Sequence, residues 1–213
     1  MRWLLCVLLC VRSLAYAADS GTDCDHLNLV LDPHLTKAVV DQHWETGESP
    51  SKVPAKLELR GCKGELLDHM ELDASLARLD NSPLRGTPVP TYLVTVDLTA
   101  PAGSYSGPAT MPIEVENHKL KLAEATAEDG KHVPITLAMT GKAAWKKVAA
   151  GKTDDFLAVN CQPQQVGEFA TSFRRYHLTQ HGWQVSVRSE PIFWESDGDF
   201  PEASKFPAIA NSK

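Results

Sequence analysis

Thr91-Tyr92-Leu93-Val94-Thr95-Val96-Asp97-Leu98 is the stretch whose pattern decides how the rest of the chain is read. Tyr92, Val94, Val96 and Leu98 fall on one side of an extended strand, while Leu93, Thr95 and Asp97 fall on the other. Period two in β-branched and aromatic residues predicts a strand. Pro90 and Pro101 close its ends, and a glycine-bounded loop at 103–108 turns the chain toward a second alternating segment.

The same pattern recurs outward from this centre. Before it, residues 27–31 predict a strand. Leu57 and Leu59 alternate with Lys56, Glu58 and Arg60, and the turn Arg60-Gly61-Cys62-Lys63-Gly64 leads into a returning strand at 66–72, which makes a hairpin. After it, Ile113 and Val115 lead into Asn117-His118, and Leu120 and Leu122 lead out. A turn at Glu128-Asp129-Gly130 precedes Val133, Ile135, Leu137 and Met139. These segments predict a meander of three antiparallel strands, with Pro134 placing the last at an edge or a bulge. Residues 156–161 predict a buried strand, and 169–178 with 183–187 predict a final hairpin around Gln180-His181-Gly182.

Helical signals are few. Asp32-Pro33 is an N-cap followed by a first-turn proline and predicts a helix to about Glu45. Residues 73–79 predict one helical turn. Residues 142–150 predict a helix that packs through Ala144, Trp145 and Val148, with Lys142, Lys146 and Lys147 around the rest. The fold class expected is therefore mainly antiparallel β, a β-rich α+β arrangement at most, with about nine strands. A single-domain sandwich or a partly open barrel with one or two short helices satisfies it.

The amino terminus reads as an address. Arg2 precedes an apolar run at 3–11 that is too short to span a bilayer, and Ala15-Tyr16-Ala17 fits the small-x-small cleavage rule. Residues 1–17 are expected to be a signal peptide, and 18–213 one β-rich domain that ends in an irregular aromatic segment from about residue 191. Leu9 before Cys10 is larger than a lipidation site requires. Losing Arg2 and Arg12 takes the formal charge of −6 down by two, to −8. An acidic surface with no concentrated basic patch excludes a dedicated nucleic-acid binder. No later apolar run reaches transmembrane length. The expected destination is the periplasm or the exterior.

Of 5 cysteines, Cys6 and Cys10 lie in the leader, which leaves Cys24, Cys62 and Cys161. An exported protein oxidises a close pair, so one disulfide and one free thiol are expected. The pairing favoured is Cys24 with Cys161, which tethers a terminus that would otherwise fray, and Cys62 is left free. The other two pairings stay open.

Chemical motifs are sparse. There is no phosphate-binding loop, dinucleotide fingerprint, zinc-protease helix or paired-cysteine metal motif, and neither a cofactor nor a metal is expected. Ser104 and Ser106 flank Tyr105 without a nucleophile elbow. His177 and His181 do not converge if they lie on a strand and its turn. Asp197-Gly198-Asp199 lacks the spacing of a calcium loop. Asp97 needs a donor if its face is covered, and Arg174, Arg175 or Tyr176 are the candidates. Catalytic residues are therefore not assignable.

The binding surface expected combines Ser104, Tyr105 and Ser106 with the aromatic tail, Trp194 above all, for a partner that is another protein or an envelope macromolecule. Burial of the tail against the body is the competing expectation for Phe193, Trp194 and Phe200. An inhibitor-like or accessory protein is the first functional reading. A hydrolase assembled from Asp97, His177 and Glu195 is the alternative.

Overall fold

The computed structural model describes residues 24–208 apart from 36–37, 40–41, 43–50, 99–102 and 198. The expected signal peptide lies outside the described residues. So does most of the helix expected from Pro33, of which Ala38, Val39 and Gln42 are described and helical.

In chain order the strands are β1 (His26–Val30), β2 (Lys56–Arg60), β3 (Leu66–Glu71), β4 (Ala77–Asp80), β5 (Thr91–Asp97), β6 (Pro108–Glu116), β7 (Lys119–Leu122), β8 (Glu124–Ala127), β9 (His132–Pro134), β10 (Leu137–Ala138), β11 (Ala143–Ala150), β12 (Thr153–Pro163), β13 (Phe169–Thr179) and β14 (Gly182–Glu190). They form three sheets: β1-β2-β3, then β10-β6-β5-β4 with β7 also on β6, then β11-β12-β13-β14-β8-β9. Pairing is antiparallel throughout except between β14 and β8. The described chain is mostly strand and closes no barrel, as a β-rich sandwich requires. Among the described residues no helix is long and apolar enough to cross a membrane.

The three sheets stack, and β5 lies in the middle one. Val94 and Val96, with Ala109 and Ile113 of β6, pack on Ala55, Leu57 and Leu72 of the first sheet's side. Leu93 turns the other way, into a core shared with Leu137, Phe156, Tyr176, Leu178 and Val185. Both faces are covered, so no polar face is needed. Its threonines are satisfied locally: the Thr91 hydroxyl donates to the Val89 carbonyl at 2.9 Å, and the Thr95 and Thr110 hydroxyls bond at 2.8 Å. Strand periodicity placed this element correctly, but the sequence does not show that two further sheets cover it.

A third apolar cluster forms on the far face of the six-stranded sheet. Ala144, Leu157, Val159 and Phe173 pack there against Phe206, with Trp194 and Phe200 partly buried beside them. Phe206 meets Phe173 edge-on at 5.6 Å and stacks on Phe200 at 5.5 Å. The aromatic tail is thus a fourth layer. Tail burial, the competing expectation, holds for Trp194 and Phe200.

Local turn chemistry sets the hairpins. Asn117 and His118 have φ of 51° and 59°, the left-handed pair that a two-residue turn between β6 and β7 demands. Gly64 at φ 81° serves the turn between β2 and β3.

Four expectations are corrected. Residues 142–150 are not a helix: β11 runs antiparallel to β12 from Ala143 opposite Asn160 to Ala150 opposite Thr153. Alanine and lysine favour helices, but pairing with a long neighbouring strand outweighs a propensity of a few tenths of a kcal/mol or so per residue. Trp145 then meets Phe156 edge-on at 5.9 Å between the sheets. Residues 73–79 form bends and enter β4, with Ala77 opposite Val96.

Of the three strands expected in the meander, the first two pair as β6 and β7, while the third, 133–139, does not follow beside β7. The chain then crosses to the six-stranded sheet, where β8 and β9 pair, and returns through β10 to β6. Pro134 has no N–H to extend the ladder, so the alternating run 133–139 is divided between two sheets.

The fourth correction is the cysteine pairing. Cys24 and Cys62 lie at disulfide distance with Cα atoms 5.1 Å apart, while Cys161 is a free, fully buried thiol. In the β1–β2 ladder His26 is opposite Arg60. Two residues outward from that pair lie Cys24 and Cys62, so the strand register itself brings the sulfurs together. Cys161 cannot reach them, because it lies inside the six-stranded sheet, where its Sγ accepts the Trp194 backbone N–H at 3.4 Å.

Candidate functional site

The loop carrying Ser104, Tyr105 and Ser106 is held by close backbone approach. A Cβ on Gly107, which has φ 157°, would lie 2.2 Å from the Met139 carbonyl oxygen, and one on Gly141 would lie 2.9 Å from Ser104 Cβ. The Met139 N–H also donates to the Pro108 carbonyl at 2.8 Å. The loop therefore lies on residues 139–141. Ser106 turns its hydroxyl back to the Gly103 carbonyl at 3.3 Å, which leaves Tyr105 as the side chain facing out.

The tail reaches the same segment. Ser196 donates its backbone N–H to the Gly141 carbonyl at 3.0 Å and its hydroxyl to the Thr140 carbonyl at 2.7 Å. Glu195 pairs with Lys142, whose hydrogen bond holds the Glu195 carboxyl below the usual carboxylate range. The Lys142 ammonium also lies 3.9 Å from the centre of the Phe193 ring, and Phe193 meets Phe169 edge-on at 4.9 Å.

Two segments some ninety residues apart in sequence thus converge on residues 139–142, and they present Tyr105 (46 % exposed), Met139 (45 %) and Phe193 (50 %) to solvent. Trp194 turns inward to the tail's own cluster. The sequence reading missed Met139 and Lys142. The signal available for Lys142 was its place between Thr140-Gly141 and an apolar strand, where a buried lysine needs a carboxylate.

Asp97, His177 and Glu195 are not brought together. Asp97 lies in the central sheet beside a groove lined by Leu31, Leu76 and Arg78. Glu195 is on Lys142, and His177 is on Asp155. Nor do two of the suggested donors serve Asp97: Arg175 pairs with Asp155, and Tyr176 is in the core between the sheets.

Asp155 is the acid that the sequence reading overlooked. It lies in β12 on the tail-side face, fully buried, and accepts hydrogen bonds from Arg175 Nε at 3.0 Å and from His177 Nδ1 at 2.8 Å, with Arg175 Nη2 in ion-pair contact at 2.9 Å. Burying a carboxylate is tolerated only with such partners. The visible signal was an acid at the strand parity of Leu157 and Val159, facing an Arg-x-His alternation in β13. Arg175 and His177 line a cavity of about 360 Å³ with Thr126, Glu128, Gln184 and Ser186.

No family model, no curated protein and no solved structure matches the chain.

Proposed function

We propose that this chain is an exported, non-enzymatic accessory or inhibitor-like protein that binds another protein or an envelope macromolecule through the surface of Tyr105, Met139 and Phe193. The observation that supports this most is the convergence of the 103–107 loop and the 193–196 tail on residues 139–142, with two aromatic rings and a methionine left exposed. Aromatic and methionine side chains on a backbone already held in place contribute contact area at low entropic cost. The Cys24–Cys62 pair supports an oxidising destination, and the periplasm or the exterior fits that. A hydrolase built on Asp97, His177 and Glu195 is the weaker reading, since those groups lie apart.

The test begins with protein recovered outside the cytoplasm, whose intact mass should correspond to a chain starting at Ala18. Partner capture by cross-linking is then compared between that protein and Tyr105→Ala. The variant should melt at nearly the same temperature and lose affinity by roughly 1–3 kcal/mol. A strongly destabilised variant would place Tyr105 in the core and end the proposal, as would unchanged affinity.

A further inference from the structure

We infer that the cavity over β13 and β14 is a second site, separate from the Tyr105 surface, which binds the carboxylate or phosphate group of a small molecule. The site lies on the far sheet face, beside the part that the described residues of the aromatic tail cover. Phe200 and Phe206 cover the neighbourhood of Phe173 and Leu157, and Ala208 is among the residues that line the cavity. Beyond them the face turns polar. Arg175 is opposite Ser186, His177 is opposite Gln184, and Gln184 is in turn opposite Thr126 of β8. With Thr179, six polar side chains from three adjacent strands thus line one cavity of about 360 Å³, a size suited to a small metabolite.

The donors are oriented before any ligand arrives. A carboxylate only accepts, so the Asp155–His177 bond places the imidazole proton on Nδ1 and leaves Nε2 for the cavity. Arg175 commits Nε and Nη2 to Asp155, which fixes the guanidinium plane and leaves the two N–H groups of Nη1. Asp155 lies behind, fully buried, with the guanidinium and imidazole in front of it. The positive end of the cluster therefore faces the cavity.

Among the described residues the side chains of Ser186 and Gln184 have no protein hydrogen-bond partner, so their donors are available as well. An oxyanion that carries a proton donates it to Nε2 and accepts from Nη1 and the Ser186 hydroxyl. Such charge-assisted bonds are the strong ones. Glu128 at the rim is the one carboxylate lining the cavity among the described residues, and it opposes an anion.

The experiment follows the His177 imidazole resonances and, in every variant, the backbone amides of Gln184 and Ser186 by NMR while the full mature chain is titrated with inorganic phosphate, with succinate, and with glucose as a neutral probe. One or both anions should shift the His177 signals, and which one does so identifies the headgroup. Glucose should not shift them. His177→Gln, which keeps a donor to Asp155, should weaken the anion about tenfold with little change in melting temperature. Glu128→Gln, at the rim, should tighten it about threefold, and this variant keeps the test decisive if the first fails to fold. Absence of any shift at tens of millimolar anion overturns the inference. So does a shift with glucose alone, or weaker anion binding in Glu128→Gln.

Discussion

Glu114 of β6 is half-buried, and the main consequence is electrostatic: burial raises its carboxyl pKa above the usual carboxylate range, partly offset by Lys121 and reinforced by Glu116 and Glu124. The sign of the stability effect follows. A raised acid pKa means that the folded state prefers the protonated form. Ionised Glu114 therefore costs stability at neutral pH, and the cost vanishes as pH falls through the raised value. Glu114→Gln should melt higher than the parent at pH 7, and thermal denaturation across pH should show the gap closing toward acid. A gap that does not depend on pH would assign the effect to packing. Asp155 is buried more deeply still, and there Arg175 Nε and His177 Nδ1 hydrogen-bond its carboxylate while Arg175 Nη2 adds an ion-pair contact.

The loop between β5 and β6 is constrained where the chain re-enters the sheet. Gly107 has a positive φ and no room for a methyl group against the Met139 backbone. Gly107→Ala must strain the backbone or lift the loop off residues 139–141, at a cost of roughly 2 kcal/mol. Urea denaturation measures that cost, and because Tyr105 rides on this loop, partner capture should fall with it. An alanine variant as stable as the parent would show that the loop is not held there. β11 is the element whose sequence misleads most. In it Ala, Lys and Trp recur at a spacing that suits a helix face, yet the eight-residue ladder with β12 takes precedence. As a strand its parity separates Trp145, which enters the core between the sheets, from Lys146, whose ammonium lies 4.5 Å from the Phe200 ring on the other face.

Across the whole molecule, the first sheet is joined to the middle one by the short segment 72–76 and is clasped at its outer end by Cys24 and Cys62, 38 residues apart in sequence. Closing a loop of that length removes entropy from the unfolded chain, so reduction should cost roughly 2–4 kcal/mol of stability. Non-reducing peptide mapping should find Cys24 linked to Cys62. Cys161 should resist alkylation until the chain unfolds, since it is buried under the tail. Three thiols alkylated in the native, unreduced protein would contradict the pairing.

What the sequence by itself determined is local. Alternation placed β5, β12, β13 and β14, and glycines with Asn117-His118 marked the tight turns, because period and turn chemistry are written within a few residues. The convergence of the 103–107 loop and the tail was half legible, as two exposed aromatic segments without a common support. Only the tertiary structure decided that β8 leaves the meander to lie parallel to β14, that 142–150 is a strand, and that strand register pairs Cys24 with Cys62. It alone joined Asp155 to Arg175 and His177. These outcomes depend on which distant strands become neighbours, and the free energy that selects neighbours comes from burying several faces at once, which no single segment encodes.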